Sequence, residues 1–351
     1  MKNILTCFFI IISPVLKAQQ VITGRITDAT DGMPIERVEI FIANTTIGTL
    51  TNASGNYSIT YQGTGSFEIV VSHVGYQPVF HKIDTPKSSH QYDVALEIQE
   101  IQEVTITASS NYSRSDVDLF WRTLLGVRPS RIGLQVLNPE KVFFYKNSDD
   151  VLKVSCKEPI EIVNHEMGYH IRYVLQSFEL DYRTFKATFY GMPHFEELIP
   201  RNNSQKNRWE KKRQDVYAVS LTHFIRALYR DQTQEEGFLL IKQDTARHVI
   251  PAKDILQADQ EMGQVNIESP LFLLCFGKSI TDEMIHNILG IHIILGFPGS
   301  FPIMILLPQQ FSIYPDGTYT GLLNVQEHRN SIIGLSARLP VEYLPNISHF
   351  D

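Results

Sequence analysis

Between Val21 and Leu96, apolar residues alternate in short runs, each ended by a turn signal, and this punctuation constrains the fold more than any other feature. Val21-Ile22-Thr23-Gly24-Arg25-Ile26-Thr27-Asp28 reads as a strand entering a turn at Asp28-Ala29-Thr30-Asp31-Gly32. From Ile35 to Ala43, Val38, Ile40 and Ile42 point one way and Arg37, Glu39 and Phe41 the other, the two-residue period of a half-buried strand. Turn elements follow at Thr46-Ile47-Gly48-Thr49 and Asn52-Ala53-Ser54-Gly55. Tyr57 and Ile59 open another strand, and β-branched Phe67 to Ser72 forms one more, closed by Gly75-Tyr76. Several strands at this spacing, with no helical period between them, predict a small antiparallel sandwich. Glycines supply positive φ at its turns, Asn and Asp bond their own backbone there, and Tyr57 and Tyr76 are expected to anchor the core with hydroxyls at the rim.

The pattern Gly24-x-x-x-Asp28, Gly32-x-Pro34-Ile35-x-x-Val38, Gly48-Thr49-x-Thr51-Asn52-x-x-Gly55-x-Tyr57, then Val71-Ser72-x-x-Gly75-Tyr76 resembles the carboxypeptidase regulatory-like domain. The resemblance implies a transthyretin-like, Greek-key sandwich, common in envelope proteins of Bacteroidota, and a non-catalytic role. Asn52 stands where an Asp is usual in that family, which argues against calcium held by a carboxylate at this turn. Asn138-Pro139-Glu140, Gly168-Tyr169-x-Ile171-x-Tyr173, Tyr190-Gly191-x-Pro193-x-Phe195-x-Glu197-Leu198 and Trp209-Glu210-Lys211-Lys212-Arg213 resemble an uncharacterised Bacteroidota family with the same N-terminal sandwich. That second resemblance implies architecture alone.

The first residues point to export. Lys2 supplies a positive start, Ile4 to Ile12 an apolar core, and Ala18 a small residue at the expected cleavage edge. This stretch of about nine residues spans roughly 13 Å of helix, less than half a bilayer's hydrocarbon core, so a cleaved signal peptide is expected rather than a retained anchor. The 351 residues carry a formal charge of −7, 43% hydrophobic and 20% charged residues. That balance suits a folded protein and gives no field for nucleic acid. The expected domains are a signal peptide over 1–18, the sandwich over 19–97, a strand and linker over 98–112, and an α+β domain over 113–351. The segment Glu103-Val104-Thr105-Ile106-Thr107-Ala108 resembles one that follows the sandwich in large outer-membrane receptors, but the remaining chain is too short for a barrel of about 22 strands.

In the C-terminal region, Ser115-Asp116 is expected to cap a short helix ending at Leu125, with Phe120, Leu124 and Leu125 on one side. Mostly antiparallel strands follow at 141–145, 151–156, 160–163 and 169–181, with 184–190 returning after a turn at Asp181-Tyr182-Arg183. Residues 203–230 predict one long amphipathic helix, with Tyr217, Leu221, Phe224, Ile225 and Leu228 on its apolar side and Thr222, Arg226 and Arg230 opposite. Lys206, Arg208, Lys211, Lys212 and Arg213 around Trp209 read as a solvated basic face. The apolar stretch 288–307 is broken by Gly290, Gly296, Pro298, Gly299 and Pro302, which favours two buried strands over a membrane span. Tyr314-Pro315-Asp316-Gly317-Thr318-Tyr319 predicts a hairpin turn.

Twelve histidines invite a metal search. His165 and His170 lie five apart, so on a helix they diverge and miss the two-histidine zinc spacing. His194-Phe195-Glu196-Glu197 has the His-x-x-Glu spacing of a zinc carboxypeptidase, with His292 as a downstream third ligand. No nucleophile elbow or phosphate loop is present. Cys156 and Cys275 remain after cleavage and are expected as buried thiols. Asp244-Thr245-Ala246 fits an O-glycosylation triplet at Thr245.

The residues together predict a non-catalytic binding or structural protein of the cell envelope, periplasmic or outer-membrane-associated, with no cofactor and no membrane span after cleavage. Its partner would be an envelope protein or glycan, met through the sandwich loops at Asp28, Asp31 and Gly32 and at Gly48, Asn52 and Gly55. The alternatives are an accessory of TonB-dependent outer-membrane uptake and a zinc-dependent hydrolase at His194, Glu197 and His292.

Overall fold

The computed structural model describes residues 20–99 apart from 64 and 85–88, then 112–126, 133–184, 186–242, 248–259, 262–268, 271–281, 284, 303–306, 310–320, 326–327, 335 and 338–345. The expected signal peptide, most of the 98–112 linker, Thr245 and His292 lie outside the described residues.

The N-terminal alternation folds into a two-layered β-sandwich. One sheet is formed by β1 (Gln20–Asp28), β4 (Asn56–Tyr61), β7 (Ser89–Gln91) and β8 (Val94–Leu96). The other has the order β3 (Gly48–Leu50), β2 (Glu39–Ile42), β5 (Phe67–Ser72), β6 (Val79–Ile83). Ile22, Ile26, Val38, Ile40, Ile42, Ile59, Ile69 and Val71 fill the space between the sheets. Tyr57 donates its hydroxyl to the Tyr92 carbonyl at 2.8 Å, and Tyr76 donates to Asp28 at 2.7 Å, the first ring buried and the second partly buried, with both polar ends satisfied at the rim. The outward side of β2 departs from the expectation. Glu39 and Phe41 are buried as well, because the next sheet covers them.

That covering sheet begins the α+β part. Helix α1 (Arg114–Leu125) is capped two residues earlier than expected, by Ser113 and not Ser115. The Ser113 hydroxyl accepts from the Asp116 amide at 3.3 Å while Asp116 accepts from the Ser113 amide at 2.6 Å, a reciprocal box that satisfies two orphan donors. Replacing Ser113 with alanine is expected to cost about 1 kcal/mol, read as a lower urea midpoint with unchanged slope. The strands β9 (Leu134–Val136), β10 (Val142–Lys146), β11 (Val151–Cys156), β12 (Ile160–Asn164), β13 (Tyr169–Asp181) and β14 (Lys186–Glu197) form a six-stranded sheet of order β10-β11-β13-β12-β9, with β14 also paired to β13. Its inner face packs Leu152, Ile162, Tyr169, Ile171, Tyr173 and Phe178 against Phe120, Trp121, Leu124 and Leu125 of α1. The β13–β14 hairpin forms where expected, its turn fixed by the Arg183 amide donating to Asp181 at 2.7 Å. β14 runs on to Glu197, well beyond Tyr190.

Residues 203–230 are two helices rather than one: α2 (Asn203–Tyr217) and α3 (Leu221–Tyr229). Ser220 accepts from the His223 amide at 3.1 Å and so caps a new helix inside the apolar period. The expected basic face is only partly solvated. Trp209 is buried and donates to the His165 carbonyl at 2.8 Å, and Arg213 is buried over the Tyr169 ring at 4.0 Å. Helix α3 packs on β15 (Phe238–Lys242), β16 (Leu256–Ala258), β17 (Gly263–Asn266), β18 (Leu271–Cys275) and β20 (Gln310–Ile313) around a separate core of Phe224, Leu228, Phe238, Leu273 and Ile313. Here the strands form two four-stranded sheets, completed by β19 (Ile303–Leu306) with β22 (Gln326–Glu327) and by β21 (Tyr319–Thr320). Of the 288–307 stretch, β19 is the described part, a strand paired antiparallel to β18. No helix among the described residues is long and apolar enough to cross a membrane. Gly317, at φ 88°, makes the β20–β21 turn.

Candidate functional site

A strand alternates its side chains, and this decides what the His-x-x-Glu spacing can do. On β14, His194 pairs across from Arg172 and Glu197 from Tyr169, so three residues of separation put His194 and Glu197 on opposite faces. Glu197 accepts an ion pair from Arg213 at 3.0 Å, on the side of α2. His194 points the other way, into the joint with the sandwich. The structure does not bring the two together as metal ligands, and among the described residues no group of three or more His, Cys, Asp or Glu could hold a metal ion.

The joint is built from sheet register. β13 and its neighbours present His170 and Arg172, Glu161 of β12, and His194 and Glu196 of β14 on one outer face. Against that face β2 lays Glu39 and Phe41. His194 Nδ1–H donates to Glu39 Oε1 at 2.9 Å, and the Arg172 guanidinium meets the same oxygen at 2.8 Å. The His194 ring stacks on Phe41 with centroids 4.9 Å apart, and its far edge is accommodated by Gly48, where a Cβ would come within 2.6 Å of Cε1. Beside the polar pair, Val174 and Met192 pack on Phe41, Ala43, Val70 and Phe80. Backbone bonds close the seam, with the Asn44 amide donating to the Pro193 carbonyl at 2.9 Å and the Phe195 amide to the Thr45 carbonyl at 3.0 Å.

The ionic chain continues outward from Arg172. It reaches Glu161 at 3.2 Å, and His170 lies between Glu161 at 2.7 Å and Glu196 at 3.2 Å. The Glu161 contact, helped by Glu196, raises the His170 pKa against the opposing effect of burial. Burial pushes Glu161 up, but His170 and Arg172 outweigh it and hold its carboxyl below the usual range. A raised histidine contributes stability that is complete below its unfolded pKa, near 6.5, and is lost as pH rises through the higher folded value. A lowered glutamate contributes stability present above its unfolded pKa and lost as pH falls through the folded one. The stability difference between the protein and a His170→Gln variant is therefore expected to be largest near pH 5–6 and to shrink on going to alkaline pH, measured by urea unfolding across that range.

The proposed partner loops divide into two places. Asp28 accepts from the Thr30 amide at 2.6 Å, Asp31 from the Met33 amide at 2.8 Å, and Asn52 from the amides of Ser54 and Asn56 at 3.0 Å. Gly55, at φ 76°, abuts Pro34, so the turns at 28–34 and 52–55 adjoin at one end of the sandwich. Tyr76's hydroxyl draws the Asp28 carboxyl below its ordinary pKa. Gly48 stands apart from this end, against His194. Cys156 and Cys275 are both free thiols, pushed up by burial to about 12, far from nucleophilic readiness.

The turn chemistry, the two rim tyrosines and the strand order all follow one pattern. Residues 22–106 are a CarboxypepD_reg-like domain. The CarboxypepD_reg-like domain occupies under a third of the chain. The chain is also similar to the TonB-dependent receptor P39 of Formosa agariphila, 35% identical over 104 residues that make up 29% of this chain and 10% of the receptor. It thus spans one tenth of that receptor's length. Similar solved structures include a DUF3823 family protein from Bacteroides ovatus, 11% identical over 52% of this chain and 82% of that one, with a TM-score of 0.19. A putative carbohydrate binding protein from Bacteroides uniformis is 10% identical over 50% and 78% of the two chains, also at a TM-score of 0.19. Likenesses at that level bear on neither partner nor activity. The joint behind the CarboxypepD_reg-like domain escaped the sequence because Glu39 and His194 are 155 positions apart. The one available signal was a glutamate at an outward strand position beside an aromatic residue.

Proposed function

We propose that this chain is a non-catalytic binding or structural protein of the cell envelope, with the CarboxypepD_reg-like domain as a fixed companion to the α+β part. The joint carries this reading. His194, the most reactive-looking side chain in the sequence, is engaged with Glu39 and stacked on Phe41 between the two parts. The stretch of 35% identity to a TonB-dependent receptor supports an envelope address. Metal analysis of the purified protein, with and without chelator, tests the reading. Melting unchanged by chelator and sub-stoichiometric zinc are expected; one zinc per chain, lost in a His194→Ala variant, would replace it with a hydrolase.

A second reading, an accessory role in TonB-dependent uptake, is favoured by the similarity to the receptor over those 104 residues. Deleting residues 103–108 should then abolish uptake of the cognate nutrient while leaving the sandwich's melting transition in place. Normal uptake by that deletion strain would remove this reading.

A further inference from the structure

The outer face of the six-stranded sheet is only half covered by the CarboxypepD_reg-like domain. On its uncovered half, edge strand β10 places Phe143 and Tyr145 on the same side, roughly 7 Å apart, and leaves them 46% and 47% exposed. Side by side, the two open rings form a small aromatic platform, an exposed apolar surface of the kind that serves interaction. Around the rings the side chains are polar and nearly neutral in sum. Ser155 lies opposite Phe143, Lys153 lies opposite Tyr145 and is paired with Glu179 at 2.9 Å, and Lys157 sits over the Phe143 ring at 5.4 Å.

Two further observations mark the same place. The β13–β14 ladder slips between Leu175 and Ser177, leaving Gln176 and Ser177 both exposed at mid-strand. Such bulges re-aim side chains and concentrate beside binding sites. Next to the bulge, a shallow cleft opens where the two parts of the chain meet, lined by Ser72, His73 and Tyr76 of the sandwich, by Lys157 and Glu158 of the β11–β12 connection and by Leu175 of β13. His73 Nδ1 is buried there with no hydrogen-bond partner among the described residues. Lys157 belongs to both the cleft and the aromatic pair, so the two form one surface continuous with the joint.

We propose that this surface, Phe143 and Tyr145 with Lys157, the Gln176–Ser177 bulge and the junction cleft, binds a neutral oligosaccharide. A pyranose ring has an apolar C–H face that lies on an aromatic ring, and a rim of hydroxyls that needs mixed donors and acceptors, which Ser, Gln, Lys and Glu supply here. Lys141 and Lys153 are ion-paired with Glu158 and Glu179, so Lys157 stands as a single donor for sugar hydroxyls and not as part of a basic cluster that would select an anion. An added peptide strand is disfavoured because β10 is bracketed by lysines, Lys141 and Lys146, the usual guard of an open edge. The inference deepens the reading of a binding protein and rests on it.

Native electrophoresis of the full purified protein through gels containing hydroxyethylcellulose, galactomannan or laminarin tests it, with alginate as the acidic control. Retardation by at least one neutral polysaccharide is expected. Phe143→Ala with Tyr145→Ala should weaken that retardation about tenfold or more, at unchanged melting temperature, since both rings are half-exposed. Equal retardation of the double variant, no retardation by any of the three neutral polymers, or retardation by alginate alone overturns the proposal. So does a concentration-dependent dimer abolished by the double variant, which would give the surface to a second copy. Zinc content measured on the same preparation separates these failures from failure of the binding-protein reading.

Discussion

An Arg226→Met variant is expected to lose about 3–5 kcal/mol from the unfolding transition of the α3 core, the largest effect of any single substitution outside the apolar cores. Helical spacing alone puts Arg226 on the polar side of α3, yet it is 4% exposed. Its guanidinium donates to the carbonyls of Asp316 at 2.9 Å, Val341 at 2.6 Å and Tyr343 at 3.1 Å, and to the Tyr217 hydroxyl at 3.0 Å. Removing the donor leaves buried carbonyls unsatisfied in the β20–β21 turn and in the C-terminal strap 338–345. Lysine should not rescue, because a single ammonium cannot reproduce a planar fork aimed at four acceptors. Thermal melting and proteolysis of the variant, with cleavage appearing first within the strap, check the prediction. A loss below 1 kcal/mol would mean that water reaches these carbonyls as soon as the arginine leaves.

Glu39→Ala should cost about 2–4 kcal/mol and loosen the sandwich from the six-stranded sheet. Its one oxygen receives both His194 and Arg172, so truncation leaves a nine-tenths-buried imidazole without an acceptor. Arg172 retains Glu161 and is 29% exposed at its side chain, which keeps the cost below that of a fully buried broken pair. The discriminating comparison is Glu39→Leu combined with His194→Phe. Removing both members of the His194–Glu39 pair leaves no buried imidazole without an acceptor, Arg172 keeps Glu161, and the phenylalanine keeps the stack on Phe41, so the double variant should be more stable than Glu39→Ala alone. Protection of the Asn44 and Phe195 amides from hydrogen exchange reads the joint directly, since both bond across it.

What the sequence made legible was local. Turns at 28–34 and 52–55 and the Asp-Gly hairpin depend on neighbours within a few positions, and each forms as the residues dictate. The break between α2 and α3 was also local: Ser220 sits three residues before the His223 amide it caps, but the apolar period running through it masked the signal. Burial of Glu39, Arg213 and Arg226 was not legible. Each is a charged residue on the nominally wet side of its own element, made dry by a segment far away in the chain. The His194–Glu197 spacing misled for the opposite reason, since its meaning changes with secondary structure. The hairpin extends past Tyr190, and three residues along a strand reverse the face.

The strap has a consequence for the order of assembly. The Val341 amide donates to the Asn44 carbonyl and Glu342 accepts from Thr46, 296 positions earlier, while Val341 and Tyr343 hold Arg226. A sandwich whose core is made from residues 22–96 can form as soon as that stretch emerges. The last part of its seam, the contacts of Asn44 with Val341 and of Thr46 with Glu342, has to wait for residues 338–345, and closing so long a loop is slower than pairing neighbours. Assembly is thus expected in two kinetic phases, a fast one that matures the sandwich and a later one that locks it in place, with residues 338–345 setting the clock for the second.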